Sequence, residues 1–333
     1  MILVTGGTGF VGRVLLRHLV EQGHMVRTLI RPSPHTPRLP VGVPVEVAVS
    51  SLADVRGLRA AMRDVNIVYH LASAENQGAR GDLFKTDVLG TQNLTQASAD
   101  SGIQRFFYVS HLDASRDSAF PVHRAKGLAE EHLRKSGVPY TIFRSSILFG
   151  PEDHFTTNLV SLLRLAPGIL PLPYGGQTLI QPLWVEDLVT CLLWSLERSE
   201  TINQTYEVGG SEFFSIQQVA EIVMSVAHRQ RLIVPMSIPM LRVLTVLLEN
   251  AVRKFPVSTF WLDYLAVDRT CEVNALPRIF GLMPARFTYR LDYLMTTPWY
   301  VSAWRSLRER SARAVHALGK FLQSLRGRLR NSK

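Results

Sequence analysis

Cysteine is scarce in this chain: Cys191 and Cys271 are the only two among 333 residues. Neither takes part in a Cys-x-x-Cys or metal-ligand spacing, so no disulfide framework is expected, and both are read as buried thiols. No cluster of His, Cys and Asp suggests a metal. Long hydrophobic runs are missing too. The most apolar stretch, 232–252, is broken by Pro235, Pro239 and Arg242, whereas a membrane-spanning helix needs roughly 20 unbroken apolar residues. No leader precedes the first predicted strand, so a cytoplasmic location is expected. Gly-x-Ser-x-Gly is absent, no Ser-His-Asp arrangement stands out, and no internal repeat is visible.

Net positive charge is small over most of the chain, although the formal total is +10. Residues 305–333 hold seven Arg, two Lys and one Glu, which leaves a net charge of +2 for the preceding 304 residues. A nucleic-acid groove would need basic residues and aromatics spread through the fold, so nucleic acid is not an expected partner. Tyr300, Trp304, Leu307, Leu318, Phe321 and Leu325 recur at helical spacing, with arginines on the remaining arc. Residues 299–333 therefore predict a basic amphipathic helix. Such a helix suits an anionic membrane surface at the inner face, a partner protein or the chain's own fold.

What is present begins at residue 2. Ile2 to Val4 reads as a short strand that ends in a glycine turn and opens into an apolar-periodic helix. Gly6, Gly9 and Gly12 carry the spacing G-x-x-G-x-x-G. The first glycine permits the turn, the second lets backbone approach a pyrophosphate, and the third lets helix pack on strand. The N–H groups at the helix start, from Phe10, Val11 and Gly12, face the phosphates.

The first half then alternates. Strands are predicted at 2–5, 25–30, 44–48, 66–71, 105–110 and 139–144, and helices at 10–22, 54–63, 82–101 and 123–136. This predicts an α/β fold, a Rossmann-type doubly wound parallel sheet with a smaller C-terminal lobe. Residues 1–150 are read as the nucleotide-binding domain, 151–298 as a smaller lobe interwoven with it, and 299–333 as the tail. In the second half the spacing predicts a proline-rich loop at 167–173, a helix at 186–197, a strand at 204–208 and a helix at 215–228.

Seven segments occur in a telling order: Thr5–Gly12 (TGGTGFVG), His70–Ser73 (HLAS), Asp87–Leu94 (DVLGTQNL), Phe107–Ser110 (FYVS), Arg144–Asp153 (RSSILFGPED), Gln181–Asp187 (QPLWVED) and Tyr206–Gly210 (YEVGG). Together they resemble the extended and atypical short-chain dehydrogenases, the NAD-dependent epimerase/dehydratase superfamily. Ile147–Asn158 and Phe280-Gly281-Leu282 are most similar to the branch of the nucleotide-binding accessory subunit of respiratory NADH:quinone oxidoreductase. The resemblance covers residues 1–295 and leaves the basic tail outside.

The resemblance implies a dinucleotide lying over the glycine turn, near Leu71 and Ala72 after the fourth strand, with Asn93 fixing backbone nearby. The second strand ends at Arg31, with no acid before Glu46. A guanidinium there suits a 2′-phosphate, so NADP(H) is favoured over NAD(H). The family's Gly-Asp after the third strand is replaced by Val49-Ser50.

Catalysis in this superfamily uses a tyrosine four residues before a lysine, plus a serine. The serine matches Ser110 and the lysine Lys126, but Val122 stands at the tyrosine position. Valine cannot donate a proton, and losing a general acid typically costs about 10²–10⁴ in rate. His111 and His123 are weak substitutes, and position 123 is turned about 100° from 122 on a helix. Ser145 and Trp184 depart from the family's usual proline and histidine. The expectation is an NADP(H)-binding fold with weak or absent catalysis, in a structural, assembly or redox-sensing role. The rival is an active oxidoreductase or epimerase on a nucleotide-sugar, isoprenoid or quinone-like substrate, its site lined by the apolar segments 159–172 and 232–252. A third reading is a partner-binding module that has lost its nucleotide.

Overall fold

The computed structural model describes residues 1–295, apart from 34–35, 38, 166–167 and 252–255. The predicted tail helix, 299–333, lies outside the described residues.

Along the first half run β1 (Ile2–Thr5), α1 (Phe10–Glu21), β2 (Val26–Ile30), β3 (Glu46–Val49), α2 (Val55–Ala61), β4 (Ile67–His70), α3 (Gly90–Asp100), β5 (Arg105–His111), α4 (Pro121–Lys135) and β6 (Tyr140–Ser145). The second half adds β7 (Leu148–Phe149), α5 (Thr156–Leu165), β8 (Ile169–Pro173), β9 (Leu179–Ile180), β10 (Leu183–Trp184), α6 (Val185–Trp194), β11 (Gln204–Val208), β12 (Phe214–Ser215), α7 (Ile216–Val226), β13 (Leu232–Met236), α8 (Ile238–Ala251), α9 (Thr259–Tyr264) and α10 (Ala275–Phe280).

Seven strands form one parallel sheet in the order β3-β2-β1-β4-β5-β6-β11. The order reverses between β1 and β4, so a crevice opens at their carboxyl ends. One face is covered by α1 and α6, whose Leu15, Leu19, Leu188 and Leu192 share a core with Val4 and Phe107. The other face packs Leu58, Leu94 and Leu133 against Leu3, Phe106 and Ile142. Alternate residues of β5 thus serve opposite cores, as the two-residue period of a strand requires. The second half returns to this sheet through β11, α6 and α10. Its other elements build a separate cluster in which Phe149, Phe155, Leu163, Val219, Phe260 and Tyr264 meet Val122 of α4.

Local chemistry sets several boundaries. Pro121 occupies the first turn of α4, where its missing N–H costs nothing. Ser215 and Gln218 close a reciprocal capping box on α7. Gly281 ends α10 at φ +69°, a left-handed conformation that suits glycine.

Three expectations need correction. The predicted loop at 167–173 contains a strand: β8 pairs in parallel with β13, Leu170 against Ile233 and Leu172 against Pro235. The prolines fit because the ladder opens with the Leu232 N–H donating to the Gly168 carbonyl. From there Leu170 and Leu172 face the partner, while Pro171 and Pro173 face away. The single helix predicted at 82–101 is two pieces, a π-helical turn at Phe84–Leu89 followed by α3. Cys191 is buried, but Cys271 is only half-buried, because it lies at the rim of the core, where its thiol reaches the Gln181 side chain. Burial still pushes the Cys271 thiol up to about 12.

Candidate functional site

The glycine turn shows how each glycine is used. Gly6 has φ +75°, and a Cβ there would lie 2.6 Å from the Leu71 carbonyl carbon. A Cβ on Gly12 would meet the Gly6 oxygen at 2.2 Å, so any side chain would push α1 off the turn. Gly9 differs: its Cβ would approach only the Gly6 oxygen, at 3.1 Å. The space over Gly9 is therefore open, where a phosphate would lie. Gly9 is also the N-cap of α1, and neither a side-chain cap nor an acidic residue in the first turn competes for that end. This cradle fits a dinucleotide pyrophosphate.

The turn opens into a cavity of about 620 Å³ along the carboxyl ends of the strands. Gly6, Gly9, Phe10, Val11, Gly12, Leu71 and Ala72 line it, as do Ser110 and Lys126. Arg31, exposed at the end of β2, lines the same cavity with Ser50 and Ser51. Asn93 does not line it. Its side-chain amide donates to the Leu52 carbonyl at 3.0 Å, and Leu52 does line the wall.

Beneath the turn, fully buried His70 joins two elements. Its Nδ1 lies 2.6 Å from Thr5 Oγ1 and its Nε2 2.8 Å from Thr91 Oγ1. Burial, helped by the Lys126 charge, lowers its pKa to about 3, so the ring is neutral.

Lys126 is also buried, with Nζ 3.4 Å from Asp87 Oδ1 and 5.4 Å from the centre of the Tyr108 ring. Burial alone would lower its pKa, but Tyr108, Asp87 and Glu75 outweigh that and hold it charged. Asp87 sits in the π-helical turn, and its Oδ2 accepts from the Ala74 N–H at 2.9 Å. Glu75 forms a second pair, 2.7 Å from His111 Nε2. Burial pushes the Glu75 carboxyl up, but His111 and Lys126 prevail and bring it to about 2.

The tyrosine position and the two substitute donors separate in space. Val122 is buried in the apolar cluster and does not line the cavity. His123 does not line it either; its ring stacks on Tyr264 at 5.8 Å, and neither nitrogen has a hydrogen-bond partner. Burial lowers its pKa to about 3. His111 does line the cavity. Ser145 lines it, while Trp184 packs on Phe149 at 5.2 Å, away from it.

The far wall differs from the expected one. No described residue of 159–172 or 232–252 lines the cavity; Phe155, Phe260, Trp261 and Tyr264 do. The cause is the fold of the second half: β8 and α5 turn their apolar faces into the cluster, and short α9 brings the aromatics forward. The segment before α5 is fixed by buried Asp153, which accepts from the Gly150 N–H at 3.1 Å, the Thr157 N–H at 2.8 Å and the Thr156 hydroxyl at 2.6 Å. This knot holds His154 and Phe155 at the cavity. Sequence reasoning missed Glu75, Asp87 and Tyr264. Only Asp87 carried a signal, as the first residue of DVLGTQNL. Among the described residues, no group of three or more His, Cys, Asp or Glu could hold a metal.

Residues 6–161 match the NAD(P)H-binding family. These residues form an NAD(P)H-binding domain. The chain is 29% identical over 279 residues to NADH dehydrogenase [ubiquinone] 1 alpha subcomplex subunit 9, mitochondrial, of Arabidopsis thaliana, covering 82% of this chain and 68% of that one. To the protein of the same name from Dictyostelium discoideum it is 28% identical over 282 residues, covering 82% and 77%. Among solved structures, an epimerase from Methanothermobacter thermautotrophicus shares the fold at a TM-score of 0.70 and 20% identity, covering 92% of this chain and 94% of that one.

Proposed function

We propose that this protein holds NADP(H) and turns it over weakly or not at all, serving as a structural, assembly or redox-sensing component of a larger complex. The observation that carries this is Val122 buried in an apolar cluster where the superfamily places its acid, while Lys126 is held by Asp87. The relatives are named as subunits of NADH dehydrogenase, which supports membership of a complex. Gly9 to Gly12 would hold the pyrophosphate and Lys126 the nicotinamide ribose. Arg31 at the β2 end supports a 2′-phosphate. Bound nicotinamide would supply a hydride donor or acceptor. We also assign the basic segment 299–333 to attachment at an anionic bilayer, from a peripheral cytoplasmic position.

Fluorescence titration with NADPH and NADH tests the binding. Wild type should bind NADPH more tightly, Gly9→Asp should bind neither, and Arg31→Glu should close the gap between the two. Equal affinity of wild type for both nucleotides would overturn the phosphate assignment. Steady NADPH oxidation with a carbonyl compound, abolished by Lys126→Ala, would overturn the weak-turnover reading. The active-enzyme reading keeps one observation in its favour: the Glu75–His111 pair lies on the cavity wall.

A further inference from the structure

One end of the cavity has chemistry that a dinucleotide does not use. Phe155 and Trp261 stack there at 5.8 Å with ring planes 24° apart, and Phe260 meets Tyr264 at 5.8 Å. Flat aromatic walls favour a planar apolar ligand, because ring faces bury large apolar area and prefer offset stacking.

Two residues that line this cavity carry buried hydroxyls without partners, Tyr264 Oη and Ser110 Oγ. Tyr264 is 2% exposed and Ser110 is fully buried. A buried hydroxyl left unpaired is costly, so two on one cavity call for a ligand oxygen. Glu75 on the same wall pairs with His111 and bonds neither hydroxyl.

Tyr264 is also held in place. Arg269 donates from Nε to the Tyr264 carbonyl at 2.9 Å, lays its guanidinium 5.0 Å from the ring centre, and is anchored by Asp113 at 3.0 Å. Val122 belongs to the same apolar cluster as Tyr264, so the phenol in this region comes from α9 and not from α4.

We propose that this end of the cavity binds a planar aromatic carbonyl compound, with Tyr264 Oη and Ser110 Oγ donating to its carbonyl oxygen. Tyr264 then supplies from α9 the phenol that α4 lacks, as a hydrogen-bond donor and not as an acid. Burial pushes the Tyr264 phenol well above its ordinary value, which keeps the proton in place to be donated. The inference rests on the dinucleotide reading only in placing the ligand beside the nicotinamide.

Equilibrium dialysis of the full chain tests it, with 2-acetylnaphthalene and its carbonyl-free counterpart 2-ethylnaphthalene, each with and without saturating NADPH. Wild type should hold the ketone about tenfold more tightly than the hydrocarbon, the effect of one to two neutral hydrogen bonds. Tyr264→Phe keeps the ring and should lose most of that preference, with hydrocarbon affinity unchanged. Ser110→Ala should lose part of it, and stands as the second variant if Tyr264→Phe does not fold. Equal affinity of wild type for the two probes, or a preference that survives both substitutions, would overturn the proposal. A preference for the ketone without any binding of NADPH would sink the dinucleotide reading and leave this one standing.

Discussion

Glu75 Oε2 and His111 Nε2 lie 2.7 Å apart on the cavity wall, and both side chains are largely shielded from water. The Glu75 carboxyl is held at about 2 against an ordinary 4.5. A carboxyl depressed in the folded state stabilises the fold above its unfolded value. That contribution is lost as pH falls from about 4.5 to about 2. Glu75→Gln should therefore cost on the order of 1–3 kcal/mol at pH 7, measured by urea denaturation, and the difference from wild type should vanish toward pH 2. A constant difference across that window would show that the pair does not act through charge.

His123 has the opposite sign of consequence. Its pKa is lowered from 6.5 to about 3, so as pH falls below about 6.5 the unfolded chain takes up a proton that the folded chain refuses. Stability should drop between pH 6.5 and 3. His123→Phe removes that term and preserves the stacking on Tyr264. Its melting temperature should exceed that of wild type at pH 4, by an amount equivalent to about 1–3 kcal/mol, and approach it at pH 8.

Lys126 and Asp87 are a buried charge pair. Removing one partner strands the other. Lys126→Met should destabilise the fold by about 3–5 kcal/mol, and adding Asp87→Asn should restore much of that loss. If the double variant is no more stable than the single one, the pair is not the source of the effect.

The basic segment is tested by truncation after Trp304. Loss of these residues should reduce binding to anionic liposomes, and raising salt should weaken wild-type binding, since exposed charges are screened within about 10 Å at 0.1 M. Equal binding by the full and truncated chains would reject the bilayer as its partner.

Much of the fold was legible because its signals are local. Gly6, Gly9 and Gly12 fall within seven residues, and strands and helices alternate with clear periods of two and 3.6. Ser110 and Lys126 were legible from the family pattern. The rest of the site was not, because it is assembled from distant pieces. Tyr264 reaches the cavity on a six-residue helix, too short for any periodic signature. Its neighbour across the wall, His111, is more than 150 positions away. Asp87 owes its inward position to a π-helical turn that residue spacing does not announce. Prolines near 171 were read as a loop because propensity carries no account of which way an N–H points.

The same prolines bear on solubility. In the β8–β13 ladder the residues turned away from the partner include Pro171 and Pro173 on one strand and Pro235 on the other. The outward rows are therefore short of donors. A stray strand from another molecule would find few N–H groups to pair with on either side, so this small ribbon is a poor template for edge-to-edge association.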